Sequence, residues 1–252
     1  MIPLIRSNQP PLIVGHRGAR AHEPENTILG FHHAMTGGAD FIECDVHLSQ
    51  DKQVVVIHDD HLLRTTGVDA WVQELSWEQL RKLNAGGDQR IPSLKETLQW
   101  LKRQKRELML AIEIKTSARD SRKMAAPVLE VIRSEDCIER CLVISFDLPT
   151  LVDIKALCPE LRTGFLFIST QLSIQKAIER AQTAHIDCLW PSLPGLTQEG
   201  VEQAHQKGLG VFTWLVQDET SLRLALKCQV DGMGSDTPGE LRELLLRTWR
   251  KP

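Results

Sequence analysis

Two acidic residues, Glu43 and Asp45, stand two positions apart in Phe41-Ile42-Glu43-Cys44-Asp45-Val46, an otherwise apolar run. Residues i and i+2 of a strand share a face, so both carboxylates point the same way. Two carboxylates on one face of a buried strand are costly unless a cation neutralises them. A third acid, Glu113, ends another apolar run and has Lys115 two positions on. Taken by itself, Glu113 reads either as a third ligand or as the ion-pair partner of Lys115. Three carboxylates facing one point suit a hard divalent ion, Mg2+ or Ca2+, completed by water and substrate oxygens. Beside them the sequence offers Gly15-His16-Arg17-Gly18 and Ile57-His58-Asp59-Asp60. Arg17, as a planar fork, and Lys115, as a point charge, could hold an anionic phosphate. His16 and His58 could supply an acid and a base near neutral pH. His22, His32, His33, His47, His61, His185 and His205 read as structural or exposed. A zinc site at His58-x-x-His61 is not expected, because strand or loop spacing does not bring those two imidazoles together.

These residues need elements to position them. Short apolar runs occur at Leu12–Gly15, Asp40–Val46, Val54–His58, Leu108–Ile114, Cys141–Ser145, Thr163–Phe167, Ile186–Trp190, Gly210–Val216 and Val230–Met233. Most are rich in Val, Ile and Phe and bounded by Gly, Pro or Asp, as buried parallel strands are. Helical patterns lie between them. Ser93 and Glu96 have capping-box spacing ahead of Leu94, Leu98 and Leu101, and a last helix follows Pro238. The alternation predicts a parallel α/β fold. Neither a dinucleotide glycine fingerprint nor a P-loop motif is present. Only His47 to Gln53 separate the second and third runs. A parallel crossover needs a dozen or more residues, so those two runs are predicted to pair as an antiparallel hairpin. The remaining eight strands give a (β/α)8 TIM barrel over residues 8–250, with an insertion after strand 2 at about 47–90. Chemistry in such barrels belongs at the carboxyl ends of the strands, where the residues above fall.

Composition narrows the function. The 252 residues carry 30 basic and 33 acidic side chains, a net of −3, which argues against nucleic acid as a partner. Six cysteines with no CxxC pair sit mostly in apolar runs and read as buried free thiols in a reducing compartment. The first residues lack a basic stretch followed by an apolar core, and no run is long and apolar enough to span a membrane. A cytoplasmic location is the expectation. In the insertion, Trp71 and Trp77 are interspersed with Asp69, Glu74 and Glu78, so stable membrane association is not expected. Tyrosine is absent, so an aromatic wall must come from Trp, Phe or His.

The blocks Gly15-His16-Arg17-Gly18, Pro24-Glu25-Asn26-Thr27, Glu43-Cys44-Asp45-Val46, Val55-Val56-Ile57-His58-Asp59 and Glu113-Ile114-Lys115 resemble, in order and spacing, the signature blocks of the glycerophosphodiester phosphodiesterases. The resemblance continues through Arg64-Thr65-Thr66, Ile91-Pro92-Ser93-Leu94, Ser145-Phe146, the Trp214 segment and Asp231-Gly232…Asp236-x-Pro238. It implies a barrel with an insertion after strand 2 that cleaves glycerophosphodiesters, small deacylated phospholipids, to glycerol 3-phosphate and an alcohol. By position it makes His16 and His58 the acid–base pair and Glu43, Asp45 and Glu113 the divalent-metal ligands. Arg17 and Lys115 become the phosphate contacts, and Trp214 an apolar wall against the glycerol carbons. Three segments depart from the family pattern: Gln50-Asp51-Lys52-Gln53, Trp214-Leu215-Val216-Gln217 and Asp231-Gly232-Met233-Gly234-Ser235-Asp236. They touch the shape of the alcohol pocket and remove no ligand or acid. Two rivals remain. A phospholipase C-like enzyme would need an apolar rim for intact lipid. A non-catalytic binding module would lack a histidine or a ligand. A Schiff-base aldolase fits less well, because carboxylates around Lys115 keep its amine protonated.

Overall fold

A computed structural model describes residues 2–6, 8–115 and 121–249. Arg250, the last residue of the domain expected from the sequence, lies outside the described residues. The chain alternates strand and helix. It runs β1 (Leu12–Gly15), α1 (Ile28–Thr36), β2 (Phe41–Leu48), β3 (Val54–Val56), α2 (Leu63–Thr66), α3 (Trp77–Leu80), α4 (Leu94–Lys102), β4 (Met109–Ile114) and α5 (Ala125–Ser134). It continues as β5 (Cys141–Ser145), α6 (Leu148–Leu157), β6 (Arg162–Phe167), α7 (Ile174–Thr183), β7 (Cys188–Pro191), α8 (Gln198–Gln206), β8 (Gly210–Trp214), α9 (Glu219–Cys228), β9 (Gly232–Ser235) and α10 (Pro238–Thr248). Side chains cap many of the helix starts. Thr27, Ser93, Asp147, Ser173, Thr197 and Asp218 each accept a hydrogen bond from a backbone N–H of the first turn. Such a cap contributes about 1 kcal/mol to the helix it starts.

Every strand except β3 pairs in parallel, and β1 pairs with both β9 and β2, which closes an eight-stranded barrel. The exception is the predicted hairpin: β3 runs antiparallel to β2, with Val46 opposite Val56. The insertion then folds on a small core of its own, Val55, Ile57, Leu62, Val72, Leu80 and Ile91. Strand limits fall within two residues of the apolar runs: β7 starts at Cys188 rather than Ile186, β2 runs on to Leu48, β3 stops at Val56, and β9 is displaced as a whole. There the strand starts at Gly232 rather than Val230, because the buried Asp231 carboxylate is held below it by Val211 N and His205 Nε2. All six cysteines are buried and unpaired.

Alternate strand residues fill the barrel. Leu12, Val14, Phe41, Met109, Ala111, Leu142, Ile144, Leu166, Trp190 and Phe212 form the interior cluster, while their neighbours Ile13, Ile42, Leu110, Ile112 and Val143 pack outward under the helices. Trp190 and Phe212 stack at 5.0 Å. A Cβ at Gly232 would come within 2.1 Å of the Phe212 ring, so only glycine fits beside that stack. With the lower barrel packed solid, the polar residues two steps further along the same rows are pushed to its upper mouth.

Candidate active site

The inward rows lead directly to the site. On β2 the sequence Phe41, Glu43, Asp45 climbs the inside of the barrel. On β4 Met109 and Ala111 are followed by Glu113, and Asp45 is the register partner of Glu113. Lys115 lies one step beyond the strand end. On β1 Val14 is followed by His16, and on β9 Gly234 is followed by Asp236. Ligand oxygens of Glu43, Asp45 and Glu113 all lie within 4.8 Å of one another. All three acids are buried, Asp45 completely. A cavity of about 380 Å³ opens above them, lined by His16, Arg17, Glu43, His58, Glu113, Lys115 and Trp214, with Asp45 beneath its floor. The eight residues singled out from the sequence therefore converge on one mouth.

The electrostatics of the floor are unbalanced. At an effective dielectric of about 20, two like charges at 4.8 Å repel by about 3.5 kcal/mol. Burial, reinforced by the charges on Asp45 and Glu113, holds the Glu43 carboxyl well above the usual carboxylate range, despite the Arg17 N–H that donates to it at 2.8 Å. Burial and Asp45 likewise push Glu113 up to about 7, against the pull of Lys115. Asp45 goes the other way. Burial raises it, but Lys115, Arg17 and His58 together with the Asn26 hydrogen bond bring it down to about 2. Lys115 Nζ lies 2.7 Å from Glu113 and 3.3 Å from Asp45, and Arg17 Nε lies 3.5 Å from Asp45. So Glu113 is both the partner of Lys115 and a member of the triad. Glu43 Oε1 is buried with no hydrogen-bond partner, and Asp45 Oδ1 makes no hydrogen bond and has only the Lys115 ammonium at 3.3 Å. Under-satisfied carboxylate oxygens gathered within 4.8 Å of one another fit a divalent cation.

Local backbone geometry aims these groups. Arg17 adopts φ +52°, a left-handed conformation uncommon for a residue with a side chain, and this turns its N–H onto Glu43. Gly18 follows at φ +85°, where a Cβ would lie 2.6 Å from the Gly30 carbonyl carbon. Asn26 brackets Asp45, donating from Nδ2 at 2.7 Å and accepting the Asp45 N–H at 3.1 Å. The carboxylate thus arrives fixed rather than mobile.

Each histidine is backed by a carboxylate. His16 Nδ1 bonds Asp236 at 2.7 Å, and His58 Nδ1 bonds Asp59 at 2.6 Å. In both rings Nε2 is left for chemistry. Burial draws the His58 pKa down, with Lys115 adding to it and Asp45 opposing, which favours the neutral ring that a base requires. His47 is buried and its Nε2–H donates to the His58 carbonyl at 2.9 Å. His47, structural by its sequence context, holds the His58 backbone in place. Asp236, Asp59, Glu25 and Asn26 were not singled out as site residues. Their signals lay in Pro24-Glu25-Asn26-Thr27, in His58-Asp59 and in Asp236-x-Pro238. Trp214 is partly exposed in the cavity, packs edge-on against Phe146 at 5.9 Å, and donates its indole N–H to the Trp190 carbonyl at 3.0 Å. The wall is held from behind as well as packed from the side.

Fold and site together describe a barrel hydrolase built for a phosphate ester, with an acidic floor for a cation and paired imidazoles above it. The comparisons with known proteins agree. The family model described as "Glycerophosphoryl diester phosphodiesterase family" matches residues 16–240. A glycerophosphodiester phosphodiesterase of Caldanaerobacter subterraneus subsp. tengcongensis is 31% identical over 93% of this chain and 97% of its own length. A solved glycerophosphodiester phosphodiesterase from Thermotoga maritima superposes with a TM-score of 0.78 at 28% identity, covering 93% of this chain and 98% of that one. A phosphodiesterase from Oleispira antarctica, solved in complex with the product sn-glycerol-3-phosphate, gives a TM-score of 0.83 at 26% identity, covering 93% of this chain and 96% of that one. This chain belongs to the glycerophosphoryl diester phosphodiesterase family.

Proposed function

We propose that this protein hydrolyses glycerophosphodiesters to glycerol 3-phosphate and an alcohol, and that residues 8–250 form one catalytic domain. The observation that carries the reading is the convergence of two carboxylate-backed imidazoles and a buried carboxylate triad on one cavity. Family membership and the product-bound relative support it. Glu43, Asp45 and Glu113 would hold a divalent ion, Mg2+ or Ca2+, given an all-oxygen donor set. When bound, that ion polarises a phosphate oxygen and stabilises the charge of the transition state.

The chain's own residues do the rest. Arg17 and Lys115 bind the phosphate and orient it, and Trp214 with Phe146 excludes water from the glycerol carbons. His58, neutral, takes the proton of the attacking hydroxyl on Nε2 as the new P–O bond forms. His16, protonated and steadied by Asp236, gives its Nε2 proton to the leaving oxygen as the old P–O bond breaks. The attacking hydroxyl is water or the neighbouring glycerol 2-hydroxyl. The second route expels the alcohol and forms a cyclic phosphate, visible as a transient phosphorus resonance; water then opens the ring, with His16 taking its proton and His58 returning one to the departing glycerol 2-oxygen, to give glycerol 3-phosphate. Among the described residues, no helix is long and apolar enough to cross a membrane. Six unpaired buried thiols support a reducing, cytoplasmic setting.

Product analysis tests the reading. Purified protein should release glycerol 3-phosphate from glycerophosphocholine, glycerophosphoethanolamine or glycerophosphoglycerol, and a chelator should stop it. Release of phosphocholine instead would mean cleavage on the other side of the phosphorus, as a phospholipase C makes. Binding without turnover would make the protein a binding module.

A further inference from the structure

Arg64 sits on α2, inside the insertion, with half its side chain exposed. Its guanidinium is nonetheless committed within the protein. Nε donates to Asp59 Oδ2 at 2.5 Å, while Nη1 and Nη2 donate to the two oxygens of Glu25 at 2.9 and 2.7 Å. The other Asp59 oxygen holds His58 Nδ1, and Glu25 Oε1 also accepts from Arg17 Nη1 at 3.1 Å. An unbroken chain therefore runs His58–Asp59–Arg64–Glu25–Arg17, from an acid–base ring to a phosphate-binding guanidinium. We propose that Arg64 is a positioning residue that sets His58 and Arg17 relative to one another, so that the insertion forms part of the catalytic centre. The inference rests on the reading that His58 and Arg17 serve phosphodiester cleavage.

The physical case is one of competing partners. Arg17 faces two acids, Glu25 and Asp45, and its Nε has no hydrogen bond. By occupying both Glu25 oxygens in bidentate fashion, Arg64 keeps Glu25 from closing fully on Arg17, whose guanidinium stays available to an incoming phosphate. By gripping Asp59 it also stops that carboxylate from turning and carrying the imidazole with it. Insertion and barrel wall are thereby tied at the two groups whose spacing must match the reacting phosphate. Misplacement of a reacting group by about 1 Å costs on the order of 100-fold.

Kinetics and nuclear magnetic resonance on the intact protein test this. Arg64→Gln should lower kcat on glycerophosphocholine by about 10–100-fold, the range for lost outer partners, and raise KM as well. Arg64→Lys, able to hold one carboxylate at a time, should fall between. Glu25→Gln supplies the second test, because the hydrogen-bond partners of Glu25 are Arg17 and Arg64, and its hydrogen-bonded route to His58 runs through Arg64 and Asp59. That variant should move the imidazole nitrogen resonances of His58 in substrate-free protein, and should move them little when Arg64→Gln is already in place. Native kcat and KM in folded Arg64→Gln, with only the melting temperature lowered, would overturn the proposal, as would unmoved His58 resonances in Glu25→Gln. Absence of glycerophosphodiester turnover by the wild type would sink the reaction reading, whereas a moved His58 signal would still support the coupling.

Discussion

Asp236 Oδ1 lies 2.7 Å from His16 Nδ1, although 220 positions separate them in the chain. They meet because the barrel closes there. Gly15 is the register partner of Ser235, and the His16 N–H donates to the Ser235 carbonyl at 2.9 Å, so the next residues on the two strands stand side by side. Asp236 also pairs with Arg20 at 2.9 Å, and the His16 and Arg20 interactions outweigh burial to hold its carboxyl below the usual range. It therefore stays ionised beside a ring that must carry a proton.

Asp236→Asn keeps the shape and removes the charge. It should lower kcat on an alkyl diester by about 10–100-fold with little change in KM, since imidazolium stabilisation matters most as the proton moves. Steady-state kinetics on glycerophosphocholine measures this. A KM effect alone would instead give Asp236 a binding role, transmitted by Arg20.

Lys115 invites a different substitution. Its amine is held charged by Asp45 and Glu113, which outweigh its own burial. It should hold phosphate in both the ground and transition states. Lys115→Met should raise KM and lower kcat/KM, with a further loss in kcat if the contact tightens during reaction. Wild-type kinetics in that variant would reduce Lys115 to a structural ion pair with Glu113.

The contrast between these residues shows what could be read from the chain. Glu43, Asp45 and Glu113 were legible because a period of two inside apolar strands allows one orientation only. The hairpin was legible because the link after β2 is too short for a crossover. Asp236 was visible only as part of a family-like block. Its pairing with His16 depends on barrel closure, which no local pattern encodes. Arg64 was visible in the same way, within Arg64-Thr65-Thr66, but its role was not: α2 has four residues, too few to show helical periodicity, and its partners lie on other segments. The β9 run was placed two residues early because Val230 looks like strand, whereas the hydrogen bonds to Asp231 set where the strand begins.

The acidic floor makes a pH prediction. Glu43 and Glu113 are both shifted upward by burial and by their acidic neighbours, and Glu113, brought to about 7, carries a proton in the metal-free protein near pH 6. A carboxyl whose folded pKa is raised contributes stability below its ordinary value near 4.5, and that contribution is lost as pH rises through about 7. Asp45, brought down to about 2, contributes in the opposite sense: its share is present above 3.8 and lost as pH falls toward 2. Divalent binding should expel the proton on Glu113, so apparent affinity should rise with pH up to about 7. Calorimetry at pH 6 in two buffers of different ionisation enthalpy should show proton release. Melting temperatures with Mg2+ or Ca2+ should exceed those with chelator, increasingly so toward pH 7. Equal binding enthalpies in the two buffers would mean that the triad is already ionised. Glu43→Gln, which keeps the shape and removes one charge, should weaken the metal-induced rise.

The histidine pair gives the most discriminating test. His16 leaves the top of β1 beside Arg17, and His58 returns from β3 on the insertion side, so both rings border the same cavity from different walls. An acid and a base acting on one phosphate need that arrangement. His58→Ala and His16→Ala should each lose about 10²–10⁴-fold in kcat/KM while retaining fold and metal binding. The double variant should lose less than the product of the two, because the pair acts as a unit. A nitrophenyl ester needs almost no protonation of its leaving group. It should restore most of the activity lost in His16→Ala and little of that lost in His58→Ala, whose burial-lowered pKa suits a base. Rescue of His58→Ala instead would exchange the two roles. Near-native turnover of glycerophosphocholine by either single variant would reject the acid–base pair.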